Sequence, residues 1–439
     1  MSVVHLVSRL GDKLAALTPA VNGMRRASAE AVFVGLIGQG ALVISGVLLA
    51  RQLGPEQRGY LALLMLWPIV ISKIGELGLP IATAYYIARE PRSFRHVVRL
   101  VGILARRQVP MLVIVHAVVL TAFLIGKPSN LVGAAVLTIM SVPSTMAGDY
   151  GLSMLQGQQR FRTLNLLRMV NPAFLCPGLL VLTAMNRASL LSMTAVAVLA
   201  IFVSGVAYLV AALRFHPTGP AGTSAISGHE LIRFGVRGLL GSTYPVETFR
   251  IDQLAVGLFL SPIALGLYVV GVAFTNIPVF VSQSLAYIAY PGVAAETDRS
   301  QRRRIIWQFF WLFIALSVAT VIVLEATIAV LVPWFFGSQF TASIGIARIA
   351  LVGALVLSAR RILAETLRGA GYPIAGTMAE ATLLALLLPA FLVGGHFWGA
   401  QGVAGAVALA GLASLVVLLA FEARVMGRTE KRSVRRDAW

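Results

Sequence analysis

Leu53-Gly54-Pro55-Glu56-Gln57-Arg58-Gly59-Tyr60 joins two apolar stretches, and 207 residues later the chain repeats the outline as Leu260-Ser261-Pro262-Ile263-Ala264-Leu265-Gly266-Leu267-Tyr268. Each copy is a Leu-x-Pro-x-x-x-Gly turn followed by Tyr. A second echo pairs Leu155-Gln156-Gly157 with Leu367-Arg368-Gly369, 212 residues apart. Pro and Gly punctuate turns everywhere, so chance explains either echo alone. Two echoes at nearly one offset imply a chain built from two similar halves.

Hydrophobic residues make up 58% of the 439 positions, grouped in stretches of roughly 20, the length a helix needs to cross a hydrocarbon core about 30 Å thick. We place about twelve spans near 30–50, 60–88, 108–126, 131–156, 164–185, 188–213, 231–260, 263–293, 306–332, 342–370, 372–394 and 400–424. An even count puts both termini on one face. Of 36 Lys and Arg, 27 then fall on that face, while Arg51, Arg58, Lys127 and Arg187 lie on the other. Basic residues resist translocation, so both termini are expected in the cytoplasm. Six spans per half makes the repeats parallel, related by an axis along the membrane normal, with a cleft between the lobes. The expected organisation is a leader at 1–29, one lobe over 30–213, a linker at 214–230, a second lobe over 231–424 and a basic tail at 425–439.

The formal charge of +19 sits in short loops beside spans. Topology and attraction to anionic membrane lipids account for it better than nucleic acid, which is not an expected partner. The leader carries Arg9, Lys13, Arg25 and Arg26 without an apolar core ahead of a cleavage site, so it reads as an amphipathic surface segment. The single Cys176 lies within a span and reads as a small apolar residue. Six scattered histidines show no metal-site spacing, no glycine loop cradles phosphate, and no metal, cofactor or catalytic residue is expected.

Ionisable residues inside spans cost roughly 2.5–3.5 kcal/mol each on insertion scales, so they mark a cleft or a partner. Five bases, Lys73, Arg250, Arg348, Arg360 and Arg361, stand against seven acids, Glu76, Asp149, Glu247, Asp252, Glu325, Glu365 and Glu380. Helical spacing pairs Lys73 with Glu76, Glu247 with Arg250 and Arg361 with Glu365. Arg348, Arg360, Asp149, Glu325 and Glu380 have no such partner. Trp67, Tyr85, Tyr86 and Tyr244 read first as packing or interfacial residues and second as platforms for sugar rings.

The run Ala50 to Leu63, with Gly75-Glu76-Leu77-Gly78-Leu79-Pro80, resembles the opening of Wzx-type polysaccharide flippases. These belong to the superfamily that includes multidrug extruders of the MATE type and the lipid II flippase. Leu155 to Phe161, Arg250-Ile251-Asp252, Gly266-Leu267-Tyr268, Tyr290-Pro291 and Phe336-Gly337 carry the resemblance along the whole chain. It implies an all-α, MATE-like membrane protein in the bacterial cytoplasmic membrane. It also implies a polyprenyl-pyrophosphate-linked glycan as substrate, flipped between leaflets, with glycan-assembly machinery as a possible neighbour. Lys73, Arg250, Arg348 and Arg360 become the expected pyrophosphate or glycan contacts. Since no ATP-binding segment exists, Asp149, Asp252 and Glu325 are candidates for coupling to an ion gradient.

A drug or metabolite exporter of the same superfamily, driven by protons or sodium, would use the seven acids as a cleft for cationic drugs. A glycan polymerase would want a substantial outer loop, and these outer loops are a few residues long. A major-facilitator carrier would need a Gly-x-x-x-Asp-Arg-x-Gly-Arg turn that Arg89-Glu90-Pro91-Arg92 does not supply.

Overall fold

The computed structural model describes residues 19–215, 226–242, 244–294, 296 and 298–436. Much of the expected leader, most of the linker and the last three residues of the tail lie outside them. Within the described residues the chain is helix and turn, with no strand.

The first half runs through α1 (Pro19–Gly75), α2 (Leu79–Arg89), α3 (Phe94–Leu124), α4 (Ser129–Thr138), α5 (Ser141–Gly157), α6 (Phe161–Leu167), α7 (Val170–Ala184) and α8 (Leu190–Arg214). The second half has α9 (Gly228–Ser242), α10 (Pro245–Phe249), α11 (Ile251–Phe259), α12 (Pro262–Ala273), α13 (Asn276–Ala294), α14 (Arg299–Phe336), α15 (Ser343–Gly369) and α16 (Pro373–Arg436). Two long helices are really pairs. α1 breaks at Gly54 (φ 70°) and α16 at Gly399 (φ 56°), left-handed conformations that glycine adopts without steric cost.

By length and apolarity, seven helices among the described residues can cross a membrane, or eight if the pair bent by 46° between α12 and α13 is one span. The expected count of twelve is larger than this for two physical reasons. Ile37–Gly75 and Pro373–Val425 each hold a glycine break. The stretch expected as a seventh span is cut into α9, α10 and α11. α15, expected as the tenth span, bears Arg348, Arg360, Arg361, Glu365 and Arg368 and is buried along much of its length.

The cores sort by half. One cluster packs Leu49, Leu64, Leu131, Leu179 and Met193, all from the first half, and another packs Val293, Phe313, Leu363, Ala379 and Leu418, all from the second. Two further clusters bridge the halves. Leu63, Leu66 and Val70 meet Val256, Leu265 and Tyr268, and Ala50 meets Val270, Ile328 and Leu351. Helix α9 belongs by sequence to the second half, yet Phe234 stacks on Tyr85 at 4.4 Å and Leu231 enters the core of α2, α3 and α5.

The repeated turns meet each other. A Cβ on Gly59 would lie 1.7 Å from the Pro262 carbonyl oxygen, and one on Gly266 would lie 1.9 Å from that of Pro55. The two glycines of the echo therefore let α1 and α12 cross backbone to backbone. Arg51 adds a bond from its Nε to the Phe335 carbonyl at 2.7 Å and donates to the Trp334 carbonyl, capping the end of α14. The second echo works the same way within each half: Gly157 lies against Ala84 and Ile87, and Gly369 against Tyr290 and Val293. Both echoes thus mark helix crossings where a side chain has no room.

Candidate functional site

Charged side chains gather in two places, both far from the joined turns. Lys73 lies 18 residues past Pro55, and Arg361 18 residues past Ser343, so each is about 27 Å along its helix at 1.5 Å per residue.

In the first half Lys73 donates to Asp149 of α5 at 2.6 Å and stands 3.9 Å from Glu76. The sequence pairing of Lys73 with Glu76 is thus the weaker of two. Past Gly75 the chain bends, with Leu77 (φ 51°) and Gly78 (φ 69°) both left-handed. Gln108 of α3 donates to the Gly75 carbonyl freed there, at 3.2 Å, and accepts from the Tyr150 hydroxyl at 2.8 Å. Glu76 is 2% exposed and its Oε1 has no partner among the described residues.

In the second half Arg361 is paired with Glu247 of α10, and Arg360 bonds Glu380 of α16 at 2.5 Å. Both guanidiniums face the ring of Tyr244, at 5.6 Å for Arg360 and 4.5 Å for Arg361, a cation–π arrangement. The Tyr244 hydroxyl donates to Glu365 at 2.6 Å, and Arg368 holds the same carboxylate at 3.2 Å. Spacing along one helix had joined Glu247 to Arg250 and Arg361 to Glu365. Neither pair forms. The backbone at Arg250 is left-handed (φ 47°, ψ 47°), so Glu247 and Arg250 do not share a helical face.

Arg348, expected as a substrate contact, lies 3.6 Å from Glu325 of α14, with side chains 53% and 30% exposed. Its neighbour one turn on, Val352, is 51% exposed, whereas Ile346, Ala347, Ala350 and Leu351 on the other side of α15 are buried. This pair sits on the outside of the helix packing and away from the cluster at Arg361. Asp252, a coupling candidate, is 8% exposed and accepts from the Tyr268 hydroxyl at 2.9 Å.

All seven acids expected within spans are therefore engaged. Of the five bases, Arg250 alone makes no ion pair among the described residues. It is exposed, and it stands just before α11, whose far end leads into the Pro262 turn. Arg58 of the opposite half, read from sequence as an outer topology charge, feels the charge of Arg250 and has a buried Nε without a partner. Sequence reasoning passed over Arg58 because its position beside a turn suggested water. The expected stacking residues are occupied: Tyr85 and Tyr86 by Phe234, Tyr244 by the arginines, and Trp67 in the core.

A family model described as polysaccharide biosynthesis protein matches residues 48–345. A sequence comparison with curated proteins returns no match. Among solved structures, the lipid II flippase MurJ in an inward closed conformation superposes with a TM-score of 0.68 at 12% identity, covering 90% of this chain and 87% of that one. A multidrug resistance MATE family transporter of the MOP superfamily superposes in its inward-facing conformation at 0.70, with 11% identity over 92% of this chain and 99% of the other. An outward-facing structure of such a transporter gives 0.60, at 13% identity over 95% and 98%. At these identities the likeness is one of fold, and that fold is a multi-pass membrane transporter's.

Proposed function

The chain belongs to the polysaccharide biosynthesis protein family, which its residues 48–345 match, and from that premise we propose that it flips a polyprenyl-pyrophosphate-linked oligosaccharide from the inner to the outer leaflet of the bacterial cytoplasmic membrane by alternating access. The observation that carries the reading is the state of the charges. An anionic linkage crossing a low-dielectric core needs a cation to meet it, and Arg250 is exposed and makes no ion pair among the described residues, its nearest charge influence being on Asp252 two residues on. Six of the seven acids that would suit a cationic drug are each held by a base or a tyrosine, and the seventh, Glu76, is buried 3.9 Å from Lys73, which weighs against the exporter reading.

In this proposal the joined turns lie at the outer face, so the Gly59–Gly266 crossing closes the path outward and the substrate enters from the cytoplasmic leaflet. The lipid tail stays in the bilayer beside the lobes while the sugar passes between them. Arg250 makes the first contact with pyrophosphate. Lys73 and Arg360 contribute only by exchanging their carboxylate partners for phosphate oxygens. Arg348 is retained as a contact for a substrate approaching from the bilayer side. Asp149 is the coupling group favoured among the three candidates, because a proton or sodium ion arriving there would compete directly with Lys73.

The test is export of the lipid-linked glycan in a strain deleted for this protein. Arg250→Ala is expected to abolish export while the protein still inserts in the membrane. Full export by Arg250→Ala would remove the site.

A further inference from the structure

Arg361 is 6% exposed, and the one carboxylate it holds among the described residues belongs to the broken helix of the second half. Glu365, four residues along its own helix, is taken by Tyr244 and Arg368. The Tyr244 ring, fixed by that hydroxyl bond, supports the guanidinium from below and leaves its edge to Glu247. The two partners differ in access. Glu247 has 30% of its side chain exposed and Arg361 only 8%, so an incoming anion reaches the pair from the Glu247 side.

Glu247 rides on a short helix with irregular backbone at both ends. α10 is five residues long, bounded by Tyr244 in extended conformation (φ −100°, ψ 96°) and by left-handed Arg250. A non-glycine residue in that region is strained, and relaxation of the joint would release the strain. Arg250, exposed and without an ion pair among the described residues, ends this segment three residues past Glu247.

We propose that Glu247 is an internal competitor for Arg361: it occupies the guanidinium in the empty protein, and a pyrophosphate group displaces it, handing Arg361 to the substrate and freeing α10 to shift. This rests on the substrate reading above. Glu247 is a positioning residue, and Arg361, absent from the expected contacts, becomes a binding residue. Pyrophosphate wins the exchange because a guanidinium bonds phosphate oxygens in bidentate fashion and two negative charges replace one. A purely structural pair would behave in the opposite way, since removing the acid would leave a buried cation and loosen the site.

The experiment measures binding of farnesyl pyrophosphate, which carries the linkage but no sugar, to purified full-length protein in lipid nanodiscs. Glu247→Gln is expected to bind about tenfold tighter than the unmodified protein, the gain when one charge-assisted hydrogen bond no longer has to be broken. Arg361→Gln should bind at least about tenfold more weakly. The double variant Glu247→Gln with Arg361→Gln, which leaves neither charge orphaned, should match Arg361→Gln, because the competition exists only through Arg361. In a Cys176→Ala background, labelling of Thr248→Cys by a maleimide should rise when farnesyl pyrophosphate is added, and should start high when Glu247→Gln is also present. Equal or weaker binding by a folded Glu247→Gln protein, or binding too weak to measure in every form, overturns the competitor role. Unchanged labelling overturns the movement of α10. Glycan export tests the substrate reading separately, so a protein that shows the predicted binding yet moves no glycan keeps the competitor and loses the reading.

Discussion

Adding a single methyl group at Gly59 should unlock the end of the molecule where the repeated turns meet. The Cβ of Gly59→Ala would stand 1.7 Å from the Pro262 carbonyl oxygen and 3.0 Å from the Gly266 nitrogen, both backbone atoms that cannot rotate away. To reach a contact of roughly 3.2 Å, α1 and α12 must part by about 1.5 Å. A gap of about 1 Å already forfeits up to half of each dispersion contact along such a seam, and overpacking of this kind costs about 1–3 kcal/mol. Alanine also favours helix over glycine by about 1 kcal/mol, so the loss falls on the seam and not on the helix. The closed arrangement should then lose roughly 5- to 150-fold in population relative to one in which the turns separate. Spin labels at Gln57 and Ser261, both exposed, read this out by pulsed electron resonance in nanodiscs. The expected result is a longer or second distance in Gly59→Ala and in Gly266→Ala. A single unchanged distance in both variants, with unchanged melting, would refute the idea that this crossing seals the path.

Lys73→Ala strands Asp149 and Glu76 together and should lower stability by about 3–5 kcal/mol, whereas Lys73→Ala with Asp149→Ala should recover much of it; melting of detergent-solubilised protein checks both. Arg360→Ala should behave likewise against Glu380. Tyr268→Phe removes the hydroxyl that bonds buried Asp252 and should cost about 1–3 kcal/mol in the same assay. Arg348→Ala breaks a half-exposed pair and should shift melting by less than about 1 kcal/mol, so a larger drop would place that pair in a dry environment.

Much of this architecture could be read from the chain. The Leu-x-Pro-x-x-x-Gly turns announced a repeat because the geometry that preserves their glycines, a backbone crossing between α1 and α12, is repeated with them. The Leu-x-Gly echo survives for the same reason. Charge pairing was far less legible. Spacing within one helix is visible in sequence, but Lys73 with Asp149, Arg361 with Glu247, Arg360 with Glu380 and Arg348 with Glu325 are all contacts between different helices. The break at Tyr244-Pro245 carried a warning that the stretch is not one helix. The left-handed turn at Arg250, an unusual conformation for a side chain of that size, carried none, and it is what separates Glu247 from Arg250. Arg58 was read only as an outer-face charge, because a residue next to a turn carries no sign in sequence of what packs over it.

The central claim is that this protein moves a glycan headgroup between leaflets by way of the cation at Arg250. Its most direct measurement is leaflet exchange of a labelled polyprenyl-pyrophosphate oligosaccharide in proteoliposomes, followed by access of a membrane-impermeant sugar-modifying probe. The account predicts exchange that depends on the protein and falls to the protein-free rate in Arg250→Ala. Exchange no faster than in empty vesicles, or equally fast with and without Arg250, would contradict it.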